Sequence, residues 1–263
     1  MTTLADTPIV AAHDYLLHLA DNALVLGQRN AEWCGNGPVL EEDIALANMS
    51  LDLIGQARML YQHAAVISGG TATEDTLAYF RDATDFKNYT LLELPQASAV
   101  SDRDYAVTIA RNFLYSALML LLWDALQASR DTQLAGIAAK SLKEVRYHFR
   151  HSRDWLVRLG DGTAESHART QAALDSLMPY TQEFWVASTF EAAAEAKGTG
   201  TIPASLRDQW NVLVDDALGE AGLARPAARQ PLPQGKSGDH SEHLTPLLAD
   251  MQVLARAHPQ AVW

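Results

Sequence analysis

Lys143 to Thr163 reads KEVRYHFRHSRDWLVRLGDGT, a histidine-bearing helical stretch with the residue types that metal chemistry uses. A carboxylate-bridged di-iron centre in a four-helix bundle takes Glu-x-x-His from each of two inward-facing helices and a lone Glu from each of the other two. His148 stands where the His of one such pair belongs. Three residues earlier stands Val145, which has no donor atom. Glu144, four before His148, is rotated by roughly 100° from Val145 around the helix. The second pair would fall in LDLIGQAR, where Leu53 and Gln56 take the Glu and His places at the same spacing. Leu cannot bind metal, and Gln is a poor substitute for imidazole.

The lone carboxylates are missing too. Between Asp14 and Asn30 there is no Glu, and Asp21 is the only internal acid; between Asp104 and Asp124 there is no acid at all. Of the roughly six ligands that such a centre needs, His148 alone remains. Acids left in a core without metal are costly to bury, so Leu and Val are what a bundle without iron carries. The pattern is that of a degenerate di-iron site, Leu53, Gln56, Val145 and His148, with no catalytic residue and no metal ligand set.

Other residues carry weaker signals. His148 and His151 at i, i+3 admit a two-His site, but a buried hydrogen-bonded His beside a surface one is commoner. His240 and His243 flank Ser241 and are expected to serve a helix start. Cys34 has no His or Asp signature beside it. No phosphate-binding Gly-rich loop and no Gly-x-Ser-x-Gly elbow is present. Arg146, Arg150, Arg153 and Arg158 give one helix a basic side: a solvated, salt-bridged face, or a contact to an acidic partner or to coenzyme A phosphates. Trp155, Trp185, Trp210, Phe113, Phe149 and Phe184 read as core or subunit interface.

The elements that must position these residues are helices. Asp14 to Asn30 has Leu16, Leu17, Ala20, Leu24 and Leu26 at helical spacing, and Cys34-Gly-Asn-Gly-Pro38 follows as a turn. A second helix is expected over Leu40 to Ile67, with Glu41, Glu42 and Asp43 where the dipole favours acids and Ser68-Gly-Gly70 as its stop. A short helix falls around Asp75 to Asp85, and Phe86 to Gln96 reads as irregular. Ser101, with Asp104 three residues on, caps a third helix to about Ser129. Asp131 caps a fourth, which ends at Gly160-Asp-Gly162. Further helices cover Ala164 to about Glu195, bent near Pro179, then Pro203 to about Glu220, and Ser241 to about Arg256. Arg225 to Gly238 is Pro/Gly-rich and reads as a surface connector. The long second-to-third connection fits an all-α, ferritin-like four-helix bundle with one crossover and additional C-terminal helices. One domain over 1–263 is expected, with a core bundle at about 14–160 and added helices at about 164–258.

The totals agree. Of 263 residues, 48% are hydrophobic, enough for a sizeable core, and the formal net charge of −12 opposes nucleic-acid or anionic-membrane binding. The single cysteine and the absence of a basic, apolar leader suit the cytoplasm. The apolar run Leu114 to Trp123 is too short for a bilayer, which needs about 20 residues.

LGQRNAEWCGNGP, LEEDIALANMSLDLIGQAR, KEVRYHFRHSRDWLVRLGDGT and HSEHLTPLLADMQ, in that order, resemble the PaaC family. These are the non-catalytic, ferritin-like subunits of the bacterial ring-1,2-phenylacetyl-CoA epoxidases (phenylacetate-CoA oxygenases). The stretch from Ala164 to Arg229 resembles them least. The resemblance implies a hetero-oligomer, with a homodimer of this subunit in it, and a homologous partner, PaaA, which carries the di-iron centre. It implies a reductase subunit with flavin and iron–sulfur that takes electrons from NADPH. The complex puts one atom of O2 into the ring of phenylacetyl-CoA. It also implies that this subunit has lost its metal ligands and holds no cofactor, in agreement with Leu53, Gln56 and Val145. Two alternatives stay open: an independent metal-dependent oxidase with an altered ligand set (His148, Glu144, Asp21), and a ferritin-like scaffold that associates only with itself.

Overall fold

In a computed structural model, residues 8–227 and 234–261 are described, with side chains from residue 12 onward. The expectation of no leader therefore falls partly on residues outside the described ones, as does the middle of the Arg225–Gly238 connector. Among the described residues there are ten α-helices and no strand, only an isolated bridge between Ser98 and Ser101. The fold is all-α and of the ferritin-like bundle class. By its internal contacts the chain divides into two compact units, Met1–Leu94 with Ser188–Gly200 and Pro233–Trp263, and Pro95–Ala187 with Thr201–Leu232.

The first unit is built on a helical hairpin, α1 (Pro8–Ala31) and α2 (Leu40–Ser68). Around it lie α3 (Glu74–Tyr79), the single turn α4 (Thr90–Glu93), α8 (Thr189–Ala196) and α10 (Leu244–Ala257). The sequence suggested one apolar stripe on α1. Instead every residue from Tyr15 to Gly27 is buried, because α1 packs against α2, α4 and α8 at once. The hairpin closes tightly at Gly27. A Cβ there would stand 3.3 Å from Leu53 Cβ and from Ile54 Cγ1, so a larger residue would push α2 away.

The second unit is built on the hairpin α5 (Tyr105–Leu126) and α6 (Thr132–Gly160), with α7 (Ala164–Leu177) and α9 (Arg207–Glu220) beside it. On α5, 17 of 22 residues are buried. It is the one helix among the described residues long and apolar enough to cross a membrane, and 89% of that apolar window lies inside the protein. Its apolarity is that of a core helix. α6 shows a single buried stripe: Leu134, Ile137, Ala138, Ser141, Leu142, Val145, His148, Ser152 and Leu156. That i, i+3/i+4 spacing is the amphipathic pattern read from the sequence.

Several boundaries differ from the reading, among them the short helix expected around Asp75 to Asp85, which ends at Tyr79. Ser101 is not the cap of the third long helix. Asp104 is, accepting from the Ala106 N–H at 3.0 Å, while its other oxygen meets the Arg169 guanidinium at 3.2 Å. The expected helix over Ala164–Glu195 is three pieces: α7, a 3-10 stretch Met178–Trp185 and α8. Pro179 cannot donate to the helix ladder, and Ser188 forms a capping box with Glu191 that starts a new helix. Phe86–Gln96 is interrupted by the turn of α4. The last helix begins at Leu244 rather than Ser241.

Candidate functional site

Each of the four positions singled out in the sequence lies on the buried face of its helix. Leu53 and Gln56 are buried on α2 of the first unit, and Val145 and His148 on α6 of the second, all at 2–3% exposure. Leu53 packs its Cβ toward Gly27 of α1. On α6, the His148 carbonyl accepts from Ser152 Oγ at 2.7 Å, and Ser152 Oγ lies 3.3 Å from Ser116 Oγ on α5. Phe113 and Phe149 stack one turn away, with centroids 5.8 Å apart. The donor chemistry does not fit a carboxylate-bridged metal pair: two of the four side chains carry no donor, and one offers an amide. Glu144 is off the buried stripe and half-exposed, and His151 is likewise half-exposed. No group of three His, Cys, Asp or Glu among the described residues is placed to hold a metal ion.

Asp21, the one internal acid of α1, is completely buried. Its oxygens are already occupied by protein donors. Arg81 clasps both of them, the Tyr61 hydroxyl donates to Oδ1, and the Lys87 N–H donates to Oδ2 at 2.8 Å. A metal at Asp21 would have to displace a guanidinium. Burial alone would lower the Arg81 pKa, and the adjacent Asp21 carboxylate more than reverses that. Burial, and then the Asp21 charge, push the Tyr61 phenol well above its ordinary value. Arg81 also lies 4.3 Å from the centroid of the Phe86 ring.

Two more buried acids complete a polar interior in the first unit. Glu191 on α8 accepts at Oε2 from the Ser188 N–H at 2.7 Å, the Ser188 hydroxyl at 2.9 Å and Lys236 Nζ at 2.8 Å. Burial on its own would raise the Glu191 carboxyl. The neighbouring His18 and Lys236, with the Lys236 and Ser188 hydrogen bonds, bring it below the usual value. His18 of α1 donates from Nδ1 to the Lys87 carbonyl at 2.6 Å, with Nε2 3.9 Å from Glu191 Oε1. Burial, followed by the Lys236 charge, holds its pKa down at about 4 against the pull of Glu191, so the ring is neutral at pH 7. Glu93 of α4 accepts from Asn88 Nδ2 and His240 Nδ1, each at 2.8 Å, and from the Ser241 N–H.

His240 is therefore not a helix-start group, as the sequence suggested. Its Nε2 lies 3.0 Å from the Phe86 carbonyl, and its Nδ1 meets the Glu93 carboxylate. Nor are residues 234–238 a loose connector. Lys236 is 2% exposed, and the Gly235 N–H donates to Thr90 Oγ1 at 3.2 Å. The sequence could not reveal these pairs, because their members lie 45 to 147 residues apart. The only local sign was Lys236 inside a Pro/Gly-rich segment and His240 just after it.

The four arginines of α6 differ in their surroundings. Arg153 binds Asp216 at 2.7 Å and Glu220 at 2.6 Å, while Arg146, Arg150 and Arg158 are exposed. The aromatic residues are largely core: Phe113 and Phe184 are 0% exposed and Trp210 1%. Cys34 is exposed.

Known proteins match this sequence along nearly its whole length. The model of a family described as phenylacetic acid catabolic protein matches residues 2–263. This chain belongs to that family. A member from Escherichia coli (strain K12), one of the subunits of the 1,2-phenylacetyl-CoA epoxidase, is 44% identical over 249 residues, covering 95% of this chain and 98% of that one. The family match spans the Ala164–Arg229 stretch, which resembles the family least by eye.

Proposed function

We propose that this chain is the structural, non-catalytic subunit of a multicomponent phenylacetyl-CoA epoxidase, and that it pairs in the cytoplasm with the homologous di-iron subunit PaaA. The observation that carries the reading is the 44% identity to the Escherichia coli epoxidase subunit over nearly the full length of both chains. On this reading Leu53, Gln56, Val145 and His148 are the degenerate places of a di-iron site. Oxygen chemistry then belongs to the partner, and electrons come from a separate reductase subunit with flavin and iron–sulfur.

A surface suited to pairing supports the proposal. Leu40, Ile44, Leu51 and Ile54 of α2 are 37–72% exposed. At 100° per residue they fall within about 40° of one line along the helix. An apolar face of this kind on a helix that is also apolar on its buried side marks an interaction surface. The test is co-expression with the di-iron subunit, followed by size-exclusion chromatography and iron analysis of the separately purified chain. We expect co-elution, far less than one iron per chain, and loss of co-elution in Leu51→Glu with thermal stability unchanged. Stoichiometric, tightly held iron would overturn the non-catalytic role. A homo-oligomer that ignores the di-iron subunit would overturn the pairing.

A further inference from the structure

Within the second unit, a surface pocket of about 360 Å³ lies between the 3-10 stretch Met178–Trp185, the start of α9 and the turn at 225–227. We propose that it binds a planar aromatic anion, with the ring held against Trp185 and the anionic group paired with Arg207. Nothing in the epoxidase-subunit reading requires such a site.

The aromatic side of the pocket is preorganised. Trp210 is 1% exposed, and its Nε1–H donates to the Leu114 carbonyl at 3.1 Å, so the core sets the orientation of its ring. Trp185 stands edge-on to it, with centroids 5.1 Å apart and planes at 66°. Phe184, completely buried, supports both rings from behind. Unlike Trp210, Trp185 is only half-buried while lining the pocket, so part of its π-surface is open to a ligand.

The charges differ in their availability. Arg225 lies 5.5 Å from the Trp210 ring, but it is already paired with Asp215 and donates to Asn211 Oδ1 at 2.7 Å. Arg207 lies 5.7 Å from the Trp185 ring, is exposed, and pairs with no carboxylate among the described residues. One uncompensated guanidinium therefore stands at the mouth of an aromatic pocket, in a chain whose net charge is −12. A guanidinium offers a planar, two-pronged donor to carboxylate or phosphate, and an indole offers a stacking face to a ring. Gln182 and Asn211 add amide groups at the rim. The volume is near the lower end of the range of about 300–1,000 Å³ for small-molecule sites, which suits one ring system bearing one anionic group. Aryl carboxylates and nucleobase phosphates share that chemistry.

Ligand-observed NMR on the full chain tests the proposal with four probes. Phenylacetate and adenosine monophosphate each carry ring and charge; benzyl alcohol carries the ring alone, and inorganic phosphate the charge alone. Saturable binding is expected for phenylacetate or adenosine monophosphate, and the one that binds more tightly identifies the source. Arg207→Gln and Trp185→Leu should each weaken it by about tenfold or more, as expected for loss of a charge-assisted contact or a stacking face. Arg150→Gln on the exposed face of α6 should leave it unchanged. The proposal fails if neither aromatic anion saturates, if benzyl alcohol or phosphate alone binds as tightly as the better aromatic anion, or if Arg207→Gln binds like the parent.

Discussion

Lys236→Met asks whether buried charge holds residues 234–241 in place. The Lys236 and Glu191 side chains are 2% and 1% exposed and meet at 2.8 Å. Methionine keeps most of the apolar stem and removes the ammonium group. Glu191 then keeps the Ser188 N–H and hydroxyl, which already donate to its Oε2, but has no cation in contact. Removing one member of a buried pair costs about 3–5 kcal/mol. The two Ser188 donors place the expectation at the lower end, about 3 kcal/mol. With a urea slope of about 3 kcal/mol/M, the midpoint falls by about 1 M.

The pH dependence gives a sharper check on Lys236→Met. In the parent protein the Glu191 carboxyl is held below its ordinary value of 4.5. Its contribution to stability is thus present above that value and lost as pH falls through the lower folded value. In the variant, burial is no longer offset by Lys236, and the carboxyl moves upward. The penalty is then present at neutral pH and relieved as pH falls and the carboxyl takes up a proton. The difference between variant and parent must therefore narrow between pH 7.5 and pH 5. A double change, Glu191→Gln with Lys236→Met, leaves a neutral acceptor for Ser188 and should lose only about 1 kcal/mol. A Lys236→Met protein that loses less than about 1 kcal/mol in urea titrations, or whose deficit is the same at both pH values, would refute this account of the buried pair.

Three other perturbations probe the same unit, and a fourth probes the second. With its pKa held down from 6.5 to about 4, His18 makes the protein less stable as pH falls from 6.5 toward 4, by about 3 kcal/mol in all, and His18→Gln should flatten that slope in acid titrations followed by circular dichroism. Arg81→Ala leaves Asp21 buried without its cation and should cost about 3–5 kcal/mol in chemical denaturation, whereas Asp21→Asn combined with Arg81→Gln should recover most of it. In Gly235→Ala the new Cβ would stand 2.2 Å from the Asn88 carbonyl oxygen, and a loss of about 2 kcal/mol or more is expected in thermal melts. Gly136→Ala, which meets nothing within 4 Å, should instead stabilise α6 by about 0.5–1 kcal/mol.

The long helices were legible in the sequence because their signals are local. α6 declares its stripe at i, i+3 and i+4, Asp131 caps it, and Gly160-Asp-Gly162 ends it. The break at Ser188 was also local, a Ser-x-x-Glu box, but the favourable helix pattern on both sides concealed it. Ser101 lost to Asp104 for a reason outside the window: Arg169, 65 residues on, supports Asp104 in the cap. The burial of Leu53, Gln56, Val145 and His148 followed from periodicity. The polar interior did not. Spacing along a chain cannot say that Glu93 will meet His240 or that Glu191 will meet Lys236, since neither pair shares an element.

That interior explains how the helical hairpin of the first unit fixes the pieces around it. A di-iron centre cross-links its helices through carboxylates shared with a metal. In the first unit the buried carboxylates are bound by protein donors, each tying down a different segment. Asp21 holds the 81–87 loop through Arg81 and the Lys87 N–H. Glu93 holds 240–241 through His240 and Ser241. Glu191 holds Lys236, while His18 reaches from α1 toward Glu191 of α8. Apolar pairs of equal volume would be as stable or more so, so stability is not what sets these ion pairs apart. Each has one geometry in which its charges are satisfied, and a shifted docking leaves a carboxylate bare in the core. Such groups reject wrong packings more strongly than they favour the right one. For a subunit proposed to present the exposed face of α2 to a partner, a single arrangement of the segments packed on the hairpin is the physical requirement, and ion pairs with one solution meet it where an apolar interface would slide.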